Sequence, residues 1–456
     1  MLRVGEQIEI KINGFAHDGR GVGRHEGKAV FVVGALPGET VIAAIVKDGK
    51  KFASANAIQI TQPSETRIDP PCPYYEACGG CTLQHTTYES ELEFKQDRVQ
   101  QAVARIGGLL ETKVLPVATN QQMYGYRNKV RFHVNAYRDR IALGLHGALS
   151  NRLVEVKSCM LAMEQLNDAY AILSKHFAQE KPAGDVFGEC GEITLRCGKD
   201  GMIGVLLDIN TINRGLADKL KHAFEMAVNE LCQKEKTVAS FRHGAHMTHI
   251  AGDGIIQAEI LGKQFNLPLD SFMQVNSQMA EKLYSRVLHV LTDDSNNIDG
   301  KSNKGAIIDC YCGLGTITLQ LAALADTVTG IEFSQSMTTA AAENAKLNGI
   351  SNADFVAGDV AVILPQLVKK AGKIQAIVFD PPRAGLAPEV VEAAIKSKAE
   401  KIVYVSCDPS TLARDLKLFA AGGYEVGDVL PFDLFGRTGH VEAIILMTRS
   451  GSGEKK

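Results

Sequence analysis

Residues 306–316 read AIIDCYCGLGT, a continuous apolar segment that runs into a glycine-rich turn. Segments of this kind are typical of strands that are buried on both faces of a sheet. From Gly305 onward they alternate with helical stretches of roughly 10–15 residues, which predicts a doubly wound parallel sheet. The last two segments, YEVGDVLPF and VEAIILMT, follow each other without room for a helix. We therefore expect these two strands to pair antiparallel.

The turn after the first of these strands is a candidate cofactor site. Glu332 ends the second strand about 20 residues further on, where nucleotide-binding sheets place the carboxylate that accepts ribose hydroxyl groups. The turn contains Gly313 and Gly315 but no third glycine for a dinucleotide pyrophosphate. This pattern favours S-adenosylmethionine over NAD. The alternative is a tight strand-to-helix turn with a surface acid.

The composition is that of a globular protein with several domains. The chain has 456 residues, of which 45% are hydrophobic and 22% charged, and at roughly 100–200 residues per domain this length predicts about three domains. The apolar runs are shorter than the roughly 20 residues of a membrane span, and the N-terminus lacks an apolar secretory segment. We expect a cytoplasmic protein, whose ten cysteines are thiols, metal ligands or nucleophiles and not disulfides.

Two further segments precede the predicted sheet. Residues 1–62 contain short alternating strands separated by turn-rich stretches such as residues 13–28, which predicts a small β-barrel of the oligonucleotide-binding type. Residues 63–272 are expected to form a central α/β domain that carries the metal site and binds RNA, with about residues 90–120 packing on the next domain. Residues 273–456 contain the parallel sheet.

A basic stretch between residues 124 and 157 contrasts with the whole chain, whose formal net charge is -3. Basic groups follow phosphates and aromatic rings stack on unpaired bases, so the stretch is a candidate RNA-binding surface. The alternative is a solvated strand face with aromatic residues in the core. Its basic residues are Arg127, Lys129, Arg131, Arg138, Arg140, Arg152 and Lys157, and its aromatic residues are Tyr124, Tyr126, Phe132 and Tyr137.

A candidate nucleophile lies at the end of the fifth strand, where residues 406–409 read SCDP before a helix. A helix N-terminus lowers the pKa of a nearby thiol, which predicts that Cys407 is reactive. The charge of Asp408 acts in the opposite direction. A buried structural cysteine is the alternative.

Carboxylates are expected at the same sheet edge. Residues 440–442 read HVE at the start of the last strand, and residues 380–383 read DPPR at the end of the fourth. A thiol nucleophile beside a carboxylate base and a cofactor cleft fits methylation of uracil C5. In that reaction a thiolate adds to C6, C5 becomes able to attack a sulfonium methyl group, and a base then removes the C5 proton.

These motifs resemble the RNA uridine-C5 methyltransferase family along nearly the whole chain. They are Ser271-Phe272-x-Gln274-Val275-Asn276, Asp309-x-Tyr311-Cys312-Gly313-x-Gly315, Asp380-Pro381-Pro382-Arg383, Ser406-Cys407-x-Pro409-x-Thr411-x-x-Arg414-Asp415 and His440-Val441-Glu442. The resemblance implies an S-adenosylmethionine-dependent enzyme with a class I methyltransferase sheet. It implies the following site residues: Cys407 as nucleophile, Glu442 as proton acceptor, Gln274, Tyr311, Glu332 and Asp380 around the cofactor and base, and Thr316 and Asp359 as weaker candidates.

One loop departs from the family pattern. Phe435 is followed by Gly436 and Arg437, where the family commonly has a proline after the phenylalanine. Glycine predicts a looser loop before Glu442.

The N-terminal segment resembles a TRAM domain, a small RNA-binding barrel. The resemblance is carried by Gly14-Phe15-x-x-x-Gly19-Arg20-Gly21-Val22-Gly23, Phe31-Val32 and Pro37-Gly38-Glu39. An SH3-like barrel without a ligand is the alternative.

Four cysteines form a candidate metal site. Cys72, Cys78 and Cys81 are spaced x5 and x2, and Cys159 follows the basic stretch. The three-cysteine spacing alone favours zinc on general grounds. The resemblance implies a [4Fe-4S] cluster instead, because the family branch with this spacing and a late fourth cysteine carries one. We assign the remaining thiols to packing: Cys190, Cys197, Cys232, Cys310 and Cys312.

The combination of TRAM domain and cluster resembles the branch of the family that acts on 23S ribosomal RNA. The T-loop uridine of tRNA is the alternative target. A radical S-adenosylmethionine enzyme is disfavoured because its cluster uses C-x3-C-x2-C spacing, and a non-enzymatic RNA-binding factor because Cys407 and Glu442 are both present. We expect a monomer that binds RNA and neither DNA nor a membrane.

Overall fold

The computed structural model describes residues 2–148, 150–182, 187–292, 305–370 and 372–449. Over these ranges the chain forms an N-terminal barrel, a central seven-stranded sheet, a hairpin and a C-terminal seven-stranded sheet. Among the described residues, no helix combines the length and the apolar character that a membrane span requires.

The N-terminal segment folds into a closed barrel with strand order β1-β2-β3-β5-β4. Its strands are β1 (Gln7–Phe15), β2 (Gly21–His25), β3 (Lys28–Val33), β4 (Thr40–Asp48) and β5 (Phe52–Gln62). The predicted barrel is confirmed, but β2 lies in the stretch that the sequence predicted as turns. Gly21 explains the difference, because a Cβ there would lie 2.7 Å from the carbonyl oxygen of Ala35. Close packing thus requires a glycine that weakens the strand pattern.

The central sheet has the order β12-β11-β10-β9-β6-β7-β8. Its elements are β6 (Lys129–Ala136), β7 (Ile141–His146), β8 (Leu153–Val154), α2 (Glu164–Gln179), β9 (Gly188–Cys197), β10 (Ile203–Ile209), α3 (Arg214–Lys234), β11 (Thr237–His243) and β12 (His246–Ala251). The two helices share one core with the sheet, centred on Phe132, Tyr170 and Phe224. β12 is an edge strand that is mostly exposed and lacks apolar alternation, so its sequence carries little strand signal.

The hairpin of β13 (Ile255–Ile260) and β14 (Lys263–Pro268) packs beside α4 (Ser277–Thr292). Ile256 and Phe265 of this hairpin are in the same core as Ile307 of the C-terminal sheet. Leu206 of the central sheet reaches that core as well. The hairpin therefore joins the central and C-terminal sheets.

The C-terminal sheet has the order β17-β16-β15-β18-β19-β21-β20. Its elements are β15 (Ala306–Cys310), α5 (Thr318–Leu321), β16 (Thr327–Glu332), α6 (Gln335–Leu347), β17 (Ala353–Ala357), α7 (Val360–Lys370), β18 (Ile374–Phe379), α8 (Pro388–Ser397), β19 (Lys401–Ser406), α9 (Pro409–Ala421), β20 (Tyr424–Phe432) and β21 (Glu442–Arg449). β15 to β19 run parallel, whereas β21 is antiparallel to both β19 and β20. The predicted parallel sheet with a final antiparallel pair is confirmed.

The segment before the central sheet packs against this C-terminal sheet. Helix α1 (Tyr88–Arg105) contributes Val99 and Val103 to the core beside β18 and β19. Val114 and Ala118 then form isolated β-bridges with β20. As a result, residues on α1 come close to the loop that leads into β21.

Candidate active site

The carboxyl edge of the C-terminal sheet opens into a cavity of about 920 Å³, called here the active-site cavity. The ends of β15, β16, β18 and β19 and the start of β21 meet at this edge, which is where open α/β sheets bind ligands. The structure brings six of the predicted site residues to this cavity: Gln274, Tyr311, Glu332, Asp380, Cys407 and Glu442. Thr316 also lines it, whereas Asp359 caps α7 by accepting a hydrogen bond from the Ala361 amide (2.9 Å).

The glycine-rich turn holds Glu332 in a fixed orientation. The amide of Gly313 donates to Oε2 of Glu332 (3.2 Å), and the amide of Ser334 donates to Oε1 (2.9 Å). Gly315 has a φ of +80°, and a Cβ there would lie 3.1 Å from the Phe355 ring. The turn therefore needs glycine at this position and presents the Glu332 carboxylate to the cavity.

Three carboxyl groups lie at the carboxyl edge of the sheet: Asp380 and Glu442 line the cavity, and Asp309 is buried near the end of β15. Burial raises the pKa of Asp309 and of Asp380 to about 7 each. Burial and the nearby charge of Asp380 raise the pKa of Glu442 to about 8, while Arg383 opposes the shift. Thr318 donates to Oδ2 of Asp309 (2.6 Å). Because its pKa is about 8, the carboxyl of Glu442 is mostly protonated at neutral pH.

The expected lowering of the pKa of Cys407 is wrong. Burial and the charges of Glu442 and Asp380 raise this pKa to about 12, although the charge of Arg383 lowers it. The N-terminus of α9 does not offset these effects, because its amides already donate hydrogen bonds to Asp408. Oδ1 of Asp408 accepts hydrogen bonds from the amides of Ser410 (2.9 Å) and Thr411 (3.0 Å) at the start of α9. Asp408 is thus a helix cap.

Arg383 lines the cavity, and its charge lowers the pKa of both Cys407 and Glu442. Its Nη2 lies 3.3 Å from Nδ1 of His440. Burial and the charge of Arg383 lower the pKa of His440 to about 4, so this imidazole is neutral at pH 7. Arg383 therefore supplies positive charge, as Arg127 does, to a cavity that also contains the carboxyl groups of Glu332, Asp380 and Glu442.

Helix α9 forms hydrogen bonds to the loop that carries Asp380 and Arg383. Thr411 Oγ1 donates to the carbonyl oxygen of Arg383 (3.2 Å), and Arg414 donates to that of Ala384 (3.0 Å). Asp415 accepts from the amide of Leu386 (2.9 Å). These motif residues of α9 thus position the neighbouring loop.

The loop before Glu442 is not loose, contrary to the expectation from Gly436. Arg437 is 4% exposed, and its amide donates to Oε1 of Glu91 on α1 (2.7 Å). Its guanidinium donates to the carbonyl oxygen of Thr86 (3.0 Å), and its own carbonyl oxygen accepts from Leu83 (3.2 Å). Arg437 therefore anchors the loop to the segment that follows the cysteines. Neither Arg437 nor the cavity-lining Tyr284 of α4 was predicted as a functional residue.

A second cavity of about 370 Å³, called here the cysteine cavity, is lined by Cys72, Cys78, Cys81 and Cys159. All four are free thiols. The amide of Gly80 donates to Sγ of Cys78 (3.4 Å). In the part of the chain that the structure describes, no three of these sulfur atoms lie within 4.8 Å of one another. The four thiols thus line the same cavity, but no three of their sulfur atoms form a close group.

The assignment of the other cysteines to packing needs one correction. Cys190, Cys310 and Cys312 are buried, and Cys312 also lines the active-site cavity. Cys232 is exposed on α3, so its assignment to packing is wrong.

Only part of the basic stretch is exposed at the surface. Tyr126 is 4% exposed and Phe132 is 0% exposed, so the prediction that they stack on bases is wrong. Phe132 instead stacks on Tyr170, with ring centroids 4.0 Å apart. Arg127 lines both the cysteine cavity and the active-site cavity. The exposed basic residues are Arg131, Arg138, Arg140, Arg152 and Lys157.

The strand order of the C-terminal sheet and the cavity at its carboxyl edge are those of class I, S-adenosylmethionine-dependent methyltransferases. Within this class, residues 87–450 match the family model described as tRNA (Uracil-5-)-methyltransferase, and residues 2–58 match the TRAM domain. The chain therefore belongs to the RNA uracil-5-methyltransferase family and is an RNA (uracil-5-)-methyltransferase. The fold class, the enzyme class and the TRAM barrel that the sequence predicted are confirmed.

Similar proteins cover nearly the whole chain. An RNA methyltransferase of Clostridium tetani, described as uncharacterized, is 33% identical over 98% of this chain and 97% of that protein. Another, from Clostridium acetobutylicum, is 34% identical over 98% of both chains. The crystal structure of Pyrococcus abyssi tRNA (uracil-54, C5)-methyltransferase with S-adenosyl-L-homocysteine has a TM-score of 0.71 at 22% identity, covering 97% of this chain and 100% of that one. This likeness shows a shared fold.

Proposed function

We propose that this enzyme methylates C5 of a specific uridine in 23S ribosomal RNA, with Cys407 as nucleophile and Glu442 as proton acceptor. The observation that carries the proposal is that both side chains line the same cavity as the glycine turn and Glu332. Methylation of uracil C5 requires a nucleophile, a base and a cofactor site close together, and these candidates line one cavity.

The residues around the turn fit S-adenosylmethionine. A Cβ placed on Gly313 would meet nothing within 4 Å, so the backbone of the turn faces open space. Glu332 would accept hydrogen bonds from ribose hydroxyl groups, and Gln274, Tyr311 and Asp380 would line the remainder of the site. When bound, S-adenosylmethionine supplies the methyl group that uracil C5 receives.

Cys407 makes C5 of uracil nucleophilic. Its sulfur adds to C6, and the electron pair of the C5–C6 double bond moves to form an enolate. Because the pKa of this thiol is raised to about 12, the thiol needs nearby positive charge to lose its proton. Arg383 is the cation that lowers this pKa, which supports a role for Arg383 in activating Cys407.

Glu442 completes the reaction. After methylation its carboxylate removes the proton from C5, the C5–C6 double bond forms again, and the bond between C6 and the sulfur breaks. A pKa of about 8 suits this step because the ideal pKa of a base lies near the operating pH. One proton then passes to solvent for each methyl group transferred.

The cysteine cavity supports a [4Fe-4S] cluster as resident group. Zinc–sulfur bonds of about 2.3 Å would place the sulfurs of one tetrahedral zinc site about 3.8 Å apart. In the described ranges no three of the four thiols approach within 4.8 Å, which favours a larger group. The backbone N–H that donates to Cys78 is of the kind that tunes cluster sulfurs. The cluster would hold residues 72–81 against the central sheet.

Ribosomal RNA is proposed as target because the chain combines a TRAM barrel with this cysteine set. The second candidate is the T-loop uridine of tRNA, because the Pyrococcus abyssi enzyme that shares the fold is a tRNA (uracil-54, C5)-methyltransferase. The experiment compares 5-methyluridine in 23S rRNA and in tRNA from a strain that lacks the gene. We expect loss from 23S rRNA alone, restored by the wild-type gene and not by Cys407→Ala. Loss from tRNA alone would replace the first candidate by the second, and no loss from either would contradict both.

A further inference from the structure

The ladder between β19 and β21 ends at the paired Ser406 and Ala443. Cys407 follows this pair on one strand, and Glu442 precedes it on the other, where the chain arrives from a loop. In the proposed reaction these two side chains act on C6 and C5, which are bonded atoms of one uracil ring. A catalytic group that is misplaced by about 1 Å can cost about 100-fold in rate. Contacts beyond the ladder must therefore fix the two segments relative to each other.

Arg98 of α1 contacts both segments. Its Nη1 donates a hydrogen bond to the carbonyl oxygen of Gly439, in the loop before Glu442. Its Nη2 lies 3.7 Å from Oδ2 of Asp408, the residue that follows Cys407. The rigid fork of a guanidinium suits two acceptors at once, whereas the single nitrogen of a lysine does not fix such a geometry. One largely buried side chain, which is 12% exposed, therefore connects the segment of the nucleophile with the segment of the base.

The two segments depend on Arg98 to different degrees. Asp408 is also held by the start of α9, because its Oδ1 accepts hydrogen bonds from two amides there. On the other side, the amide of Gly439 donates to Oγ1 of Thr82 (2.9 Å), and its carbonyl oxygen accepts from Arg98. Loss of Arg98 would thus leave Cys407 in place and break one of these two hydrogen bonds of Gly439.

Charges from three segments surround the guanidinium of Arg98. Burial lowers its pKa, the carboxylate of Asp408 raises it, Arg383 lowers it, and Asp18 of the barrel raises it. The backbone of Asp18 also approaches the loop, because a Cβ placed on Gly439 would lie 3.4 Å from the carbonyl carbon of Asp18. Arginine is effectively always protonated in proteins, so Arg98 remains a cation between two acids. Their attraction favours the position in which the guanidinium reaches Gly439.

We propose that Arg98 is a positioning residue for the removal of the C5 proton. By holding Gly439 against Asp408, it sets where Glu442 stands relative to the methylated uracil that is attached to Cys407. Among the described residues Arg98 does not line the active-site cavity, so it acts through the loop and not on the substrate. The inference rests on the proposed roles of Cys407 and Glu442, and it is independent of the choice of RNA.

Single-turnover kinetics of the full-length enzyme with radiolabelled S-adenosylmethionine and its substrate RNA test the proposal. One measurement follows methyl transfer to RNA, and denaturing electrophoresis follows release of that RNA from the covalent adduct. Arg98→Met should slow release at least about tenfold, because the base is misplaced, and slow methyl transfer much less. Its affinity for S-adenosylmethionine should equal that of wild type, which guards against a folding defect. Arg105→Met, at an exposed position of α1, is the matched control and should change neither rate.

Two further variants separate positioning from a general structural effect. Arg98→Lys keeps the charge without the fork, so it should restore release only in part. Adding Arg98→Met to Glu442→Gln should not prolong the adduct further, because the group that Arg98 positions is already absent. Equal slowing of transfer and release by Arg98→Met, or release at the wild-type rate, would overturn the inference while Glu442→Gln still traps the adduct. Failure of Glu442→Gln to trap an adduct would instead overturn the proposed role of Glu442, and the inference with it.

Discussion

Cys407 and Glu442 lie opposite each other where the antiparallel strands β19 and β21 separate, one residue beyond the paired Ser406 and Ala443. Glu442 raises the pKa of Cys407, which agrees with their proximity. With pKa values of about 12 and about 8, both groups hold their protons in the free enzyme at pH 7. In the proposed mechanism both groups must therefore lose their protons before they act.

Cys407→Ala should abolish methyl transfer without weakening the binding of S-adenosylmethionine, because the thiol acts on the base and not on the cofactor. Methyl transfer to RNA is measured with radiolabelled cofactor, and cofactor binding by calorimetry. Cys232→Ala, at an exposed position on α3, is the matched control and should retain full activity. Appreciable turnover by the Cys407 variant would exclude covalent catalysis by this residue.

Glu442→Gln should begin the reaction and fail to finish it, because the amide cannot take the C5 proton. A covalent RNA–protein adduct through Cys407 should accumulate and survive denaturing electrophoresis. The double variant Cys407→Ala, Glu442→Gln should form no adduct. If Glu442→Gln releases methylated RNA at the wild-type rate, another group is the base.

Alkylation of Cys407 in the free enzyme should be slow at neutral pH. A free thiol titrates near 8.5, whereas the pKa of Cys407 is raised to about 12, so the reactive thiolate is a smaller fraction. The rate should rise about tenfold per pH unit through pH 7–9, whereas that of a free thiol that titrates near 8.5 approaches its plateau by about pH 9. Peptide mapping after pulses of iodoacetamide measures the rate at Cys407 alone. A plateau near pH 8 would show that the thiol is activated without RNA.

The fold and most of the proposed site were predictable because both rest on local patterns. Apolar strands followed by turns mark the sheet, and every predicted cavity residue except Gln274 and Thr316 lies at or next to one end of a strand. In a parallel sheet these ends share one edge, so residues distant in sequence meet without any knowledge of side-chain packing.

The anchoring of the loop before Glu442 was not predictable. Lys95 is 0% exposed and forms ion pairs with Glu91 (2.7 Å) and Asp433 (2.6 Å), while Arg437 bonds to the same Glu91. Charged residues are usually exposed, and nothing in the local sequence indicates that these are buried together. Such a network depends on contacts between α1 and a loop more than 330 positions away.

The four cysteines should hold iron and sulfide at about four each per chain in protein purified without oxygen, as the [4Fe-4S] assignment requires. Cys159→Ser should lose or degrade the cluster and its visible absorption, because it removes one of the four thiols of the cysteine cavity. Cys190→Ser is the control, since this thiol is buried in the core of the central sheet. Zinc bound by the four thiols without visible absorption would contradict the cluster, and equal behaviour of both variants would contradict the ligand set.

RNA binding should depend on the exposed part of the basic stretch. It should not depend on Arg127, which lies between the cysteine cavity and the active-site cavity. Arg152 and Lys157 are exposed near the cysteine loop, where the backbone N–H of Lys157 donates to the Tyr74 hydroxyl (2.9 Å). Replacing both by alanine should weaken RNA binding and reduce the slope of log affinity against log salt by about one per lost phosphate contact. Cofactor affinity should not change. Lys396→Ala, which removes an exposed lysine of α8, is the control. An effect equal to that of the double variant would mean that RNA binds elsewhere.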